Sequence, residues 1–111
     1  MGILKLGRHF HLEENLLLVV GRNQAENEAI VRIAAQEDYL IKVADRPGPL
    51  GLLRVLKPDA DVDLNLPASI VARYSDARDL PSARININRI SAAESTLTIR
   101  PMPPAEVPVM I

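Results

Sequence analysis

Val19-Val20-Gly21-Arg22-Asn23-Gln24-Ala25-Glu26-Asn27-Glu28 joins an apolar strand to the start of a helix through one glycine. Leu16 to Val20 is a continuous apolar run rich in branched residues, short enough for a strand covered on both faces. Gly21 allows a sharp change of direction or a close approach to another backbone. Asn23 suits the helix N-cap, and Glu26, three residues on, can reach back to its amide as in a capping box. The first turn of such a helix presents unpaired N–H groups and a positive dipole end, with Arg22 beside them, the chemistry of a site for an anionic oxygen. The same residues also describe an ordinary capped helix, because Glu26 and Glu28 satisfy the dipole themselves and repel a phosphate.

Upstream of this junction, residues 1–8 form a lead-in. His9-Phe10-His11-Leu12 alternates before the polar Glu13-Glu14-Asn15, so a hairpin with Leu16 to Val20 is expected. His9 and His11 share a strand face, but two ligands without a third make no metal site. Downstream, Ala25, Ala29, Ile30, Ile33 and Ala34 recur at helical spacing, predicting a helix from Gln24 to about Gln36. Asn23 and Asn27 lie on its adjoining turns, where both can face one ligand. Leu40 to Ala44 and Leu50 to Leu56 read as strands, with Pro47-Gly48 as the bend between them. The loop holding Asp59, Asp61 and Asp63 lacks the glycine and closing glutamate of a calcium loop and reads as a solvated turn.

Asn65-Leu66-Pro67 opens a second helix that stops at Asp79-Leu80-Pro81. Its apolar face is Ile70, Val71, Tyr74 and Ala77, with Ser69, Arg73 and Asp76 on another, and its charged residues read more simply as surface ion pairs than as ligands. Ala83 to Ile90 and Ser95 to Arg100 alternate and predict a terminal hairpin, joined through Ser91 to Glu94, with Ile85 and Ile87 inward and Arg84, Asn86 and Asn88 outward. Pro101 to Ile111 contains four prolines and reads as a docked or flexible tail rather than an added strand. Together these elements predict an α+β domain over residues 9–100, a predominantly antiparallel sheet of about six strands with two helices packed on it.

Composition narrows the chemistry. A chain of 111 residues that is 48% hydrophobic suits one domain with a real core rather than a disordered segment. No apolar run approaches the roughly 20 residues that span a bilayer, and no secretory signal pattern opens the chain, so a cytoplasmic protein without a membrane partner is expected. With no cysteine there are no disulfides, zinc–thiolate sites or thiol nucleophiles in this sequence. A net charge of −1 excludes polyanion binding driven by bulk charge alone. The basic residues are nevertheless mostly arginine, whose planar fork suits phosphate. They gather between Lys42 and Lys57 and again from Arg73 to Arg100, while acids concentrate elsewhere. There is no glycine-rich phosphate loop, no nucleophile elbow and no histidine–carboxylate pairing that spacing supports, so neither catalysis nor a cofactor or metal is expected.

Four blocks in order carry a family resemblance: Val20-Gly21-Arg22-Asn23-Gln24-Ala25-Glu26-Asn27-Glu28, Asp38-Tyr39-Leu40, Arg46-Pro47-Gly48-Pro49, and Ala68 to Arg78. Over roughly residues 9–90 the chain resembles the NFACT-R type of RNA-binding domain. In particular it is similar to the version found as a C-terminal module of bacterial PP-loop proteins related to tRNA 4-thiouridine synthases. Ribosome-associated NFACT-R domains carry an Asp-x-Trp-x-His block where this chain has Asp38-Tyr39-Leu40-Ile41-Lys42, and Pro-Gly-Ser where it has Pro47-Gly48-Pro49.

The resemblance implies a non-catalytic accessory domain that engages tRNA or another structured RNA. A separate PP-loop catalytic domain of the same polypeptide would perform adenylation and sulfur transfer. On this reading Arg22, Asn23 and Asn27 meet backbone phosphates or ribose hydroxyls, and Arg46, Arg73 and Arg78 supply further phosphate contacts. Two alternatives stand beside it. One is a protein-interaction domain that docks on the catalytic domain without RNA affinity; the other is a small-molecule enzyme, for which the sequence shows no site.

Overall fold

The alternating and all-apolar segments assemble into a single six-stranded sheet with one helix on each face. The structure is a computed structural model that describes residues 7–12, 16–44, 48–56, 63–89 and 92–108. Its elements are β1 (Arg8–Leu12), β2 (Leu16–Val20), α1 (Gln24–Ile33), β3 (Tyr39–Val43), β4 (Gly51–Val55), α2 (Asn65–Arg73), β5 (Ala83–Arg89) and β6 (Ala92–Ile99), followed by a 3-10 turn at Pro104–Glu106. The strand order is β1-β2-β4-β3-β5-β6, and every neighbouring pair is antiparallel. The α+β class, the six strands and the two helices are as the sequence predicts.

Register distributes the side chains between two faces, because neighbours along a strand alternate. Phe10, Leu18 and Leu53 are in register across β1, β2 and β4, as are Ile41 and Ile87 across β3 and β5. With Ile85 they form the main core beneath Ala68, Ile70, Val71 and Ala72 of α2. Full burial of each large side chain contributes about 1.5–3 kcal/mol, so most of the stability lies on this face. Gly51 permits the close packing: a Cβ there would stand 2.6 Å from Val71 Cγ2. After β6 the chain returns to the same face, where Met102 is buried and its amide donates to the Ser69 carbonyl at 3.1 Å.

The opposite face has a smaller cluster, Val19, Leu52 and Ile30, with Leu17, Ile33, Leu40 and Leu50 around it. Helix α1 covers it over β2 and β4. Beyond α1 the same face of β3, β5 and β6 is polar: Lys42, Arg84, Asn88, Thr96 and Thr98 are exposed. His9 and His11 pair with Val19 and Leu17, so they do share a face, that of α1.

Three boundaries differ from expectation, each for a local reason. Helix α1 ends at Ile33 rather than near Gln36, since Ala34 turns extended (φ −62°, ψ 129°) and the Asp38 carboxylate takes the Ala35 amide at 2.8 Å. Helix α2 ends at Arg73, not at Asp79. The Ser75 hydroxyl donates to the Ala72 carbonyl at 2.7 Å and accepts the Ala77 amide at 3.0 Å, which redirects the chain. Strand β6 starts at Ala92, within the expected connection, because an irregularity between Ile87 and Arg89 lets pairing continue to Arg89 and Ala92.

Candidate nucleic-acid interface

The β2–α1 corner is built from side chains that cap backbone. Asn23, in an extended conformation (φ −156°, ψ 175°), accepts the Glu26 amide on Oδ1 at 2.9 Å, as an N-cap should. Glu26 does not return to the Asn23 amide. Its Oε1 accepts the Arg22 amide at 2.8 Å and Arg22 Nε at 3.0 Å, and its Oε2 pairs with Arg22 Nη2 at 2.7 Å. The two-pronged guanidinium draws the carboxylate one residue further back than a capping box requires. The Arg22 side chain and then its amide hold the Glu26 carboxyl down at about 2, and Glu26 raises the Arg22 pKa in return.

The positive end of α1 is therefore already neutralised by a carboxylate of its own first turn. Arg22 stays 53% exposed, and its Nη1 is bonded to nothing among the described residues. Asn27 is turned inward: its Oδ1 accepts the Leu50 amide at 3.1 Å, while the Gly21 amide donates to the Leu50 carbonyl at 3.0 Å. A Cβ on Gly21 would collide with Asn27 Oδ1, so glycine here lets Asn27 keep its bond to Leu50.

A groove of about 520 Å³ opens beside this corner, lined by Arg22, Asn23 and Asn27 together with Arg8, Pro49 and Tyr74. The Arg8 guanidinium carbon lies 4.4 Å from the Tyr74 ring centroid, and Tyr74 packs on Phe10 at 6.1 Å between centroids. Arg8 falls in the stretch read as a lead-in and Tyr74 in the stretch read as core. Period-two spacing from Phe10 was the available signal for Arg8; nothing in the sequence places Tyr74 beside it.

Arg73 and Arg78 lie in a different groove, with Arg100, Pro101 and Pro103. Arg73 pairs with Asp79 at 3.5 Å, while Arg78 donates to the Ser75 carbonyl at 3.1 Å and stands 3.9 Å from Asp76. Consecutive residues at the end of α2, Arg73 and Tyr74, line the two grooves. Arg46 and the Asp59 and Asp61 part of the acidic loop lie outside the described residues. Asp63 makes a local turn just before α2, its Oδ1 taking the Asn65 amide at 2.9 Å.

The buried Asp38 is also structural. It binds Arg54 through two nitrogens, at 2.7 and 3.1 Å, and its bond raises the Arg54 pKa. No group of three or more potential metal ligands occurs among the described residues. None of their helices is long and apolar enough to cross a membrane.

With this geometry in place, comparison with known proteins finds a match over residues 7–109 to the family described as the NFACT protein RNA binding domain. The chain belongs to that family. This NFACT domain is also 32% identical over 76 residues to the Rqc2 homolog RqcH of Bacillus subtilis strain 168, an alignment covering 68% of the chain and 13% of RqcH. It superposes on the structure of the C-terminal of the fibronectin/fibrinogen-binding protein from Streptococcus suis with a TM-score of 0.74, at 18% identity, covering 88% of this chain and 46% of that one. That second likeness is one of fold. The NFACT domain thus spans a small part of RqcH and under half of the streptococcal structure.

Proposed function

We propose that this NFACT domain is a non-catalytic, cytoplasmic RNA-binding module that presents tRNA to the PP-loop domain of a tRNA-thiolating enzyme. One observation carries the RNA-binding part. Residues far apart in sequence, from the blocks that carry the family resemblance, meet at one groove: Arg22, Asn23 and Asn27 from the first, Gly48-Pro49 from the third and Tyr74 from the fourth. Arg8 and Arg22 Nη1 meet backbone phosphates, and the Asn23 and Asn27 amide groups meet ribose hydroxyls. Arg73 and Arg78 add phosphate contacts away from the groove, and Arg46, outside the described residues, is a further phosphate contact on the same reading. The PP-loop context rests on the sequence blocks; the identity with RqcH supports a second reading, in which the same RNA-binding module serves an RqcH-like polypeptide.

Titration with tRNA at low and moderate salt tests this. Arg8→Ala and Arg22→Ala should each weaken binding and lower the slope of log affinity against log salt by about 1. Unchanged affinity and slope in both variants overturn the assignment, and binding to the PP-loop domain without RNA affinity would establish a docking domain instead. In a full-length PP-loop polypeptide, Arg8→Ala should raise KM for tRNA thiolation and spare kcat. The RqcH-like context is supported if the full polypeptide has no thiolation activity.

A further inference from the structure

The sheet face beyond α1 has a second hollow, of about 370 Å³, that meets the cationic groove along Asn27 and Gly48. Its volume is within the roughly 300–1,000 Å³ of small-ligand sites. Leu40 and Leu50 are half-buried in its wall, and Val31, 54% exposed, stands at its rim. In the register of β3 and β5, Leu40 lies opposite Asn88 and Lys42 opposite Asn86, so apolar surface alternates with an ammonium and two amides.

The polar groups around this floor are largely uncommitted. The side chains of Lys42, Asn88 and Glu94 form no hydrogen bond or ion pair among the described residues. Asn86 spends only Oδ1, on the Thr96 hydroxyl at 3.4 Å, and Glu28 spends one oxygen on Gln24.

A hollow with two carboxylates does not suit a phosphate, whereas apolar walls edged by both donors and acceptors suit a flat heteroaromatic ring. Guanine alone among the common RNA bases offers N1–H and N2–H side by side, a match for both oxygens of a carboxylate. Its other edge has the O6 and N7 acceptors, a match for an ammonium or amide. We propose that this hollow receives an unstacked guanine of the RNA whose backbone follows the neighbouring groove. Glu94 accepts from N1 and N2, and Lys42 with Asn88 donates to O6 and N7. The assignment rests on the RNA-binding reading of that groove.

The test uses the full chain and fluorescence anisotropy with a short oligouridine carrying one central guanosine, adenosine, cytidine or inosine. The guanosine RNA should bind about tenfold tighter than plain oligouridine. Inosine, without the N2 amine, should lose much of that gain. Glu94→Gln and Asn88→Ala, both at exposed positions, should abolish the preference while leaving oligouridine affinity and its salt slope unchanged. Equal binding of all RNAs, preference for another base, or preference intact in both variants overturns the guanine site and leaves the RNA-binding reading standing. Failure to bind any of these RNAs or tRNA removes both.

Discussion

The Glu26 carboxylate accepts the Arg22 amide and two nitrogens of its guanidinium, which is why it titrates near 2 instead of its ordinary 4.5. A carboxyl depressed in the folded state adds stability that is complete above its unfolded value and lost as pH falls through the folded one. Thermal melts should therefore show a stability loss between about pH 4.5 and 2 that Glu26→Gln reduces. The same variant releases Arg22, so it should bind tRNA more tightly; an equal or weaker affinity would show that the pair itself is the recognised surface. Gly21→Ala pushes Asn27 Oδ1 off the Leu50 amide, and denaturant titration should register a loss of about 1–3 kcal/mol for that unsatisfied donor. The sequence pattern discloses the Asn23 cap, because capping is a local geometry of three residues. It does not reveal the partner of Glu26: the carboxylate reaches either the Asn23 or the Arg22 amide, and only the position of the guanidinium selects between them.

Among the elements, β5 and the start of α1 are legible because a period of two or of 3.6 is visible in each, and β2 because its short, unbroken apolar run fits a strand covered on both faces. Their ends are less so. Helix α1 stops where a side chain from beyond the helix, Asp38, captures the Ala35 amide and is itself fixed by Arg54 on β4, a strand that comes later in the chain. No window of sequence around Ile33 contains that information. Asp38→Ala removes both the turn and the partner of a half-buried guanidinium. It should cost about 2 kcal/mol in urea unfolding, less than a fully buried pair because Arg54 is 30% exposed. Arg54→Met, which leaves the buried Asp38 carboxylate without its counter-charge, should cost at least as much. The same limit hides the Arg8–Tyr74 contact in the groove beside α1: the two residues meet only when the edge strand β1 packs beside the end of α2.

In the molecule as a whole, the two faces of the sheet carry unequal cores, and strand alternation in β5 anticipates this with Ile85 and Ile87 on one side and Asn86 and Asn88 on the other. What alternation alone does not give is the placement of the helices on opposite faces. The inequality sets an order of opening. Ile85→Ala should cost about 2–5 kcal/mol of global stability. Leu52→Ala should instead act locally, speeding amide exchange in α1 before α2 or β5 is affected. Uniform exchange across both helices would mean that the small cluster is not a separate unit. One further property follows from residue 50. Its amide and carbonyl are both claimed by the β2–α1 corner, through Asn27 and Gly21, immediately before the chain enters a central strand. A helix start clasped to the middle of the sheet in this way has no slack to give an incoming ligand, so adjustment on association falls to the ligand and the protein surrenders little disorder of its own.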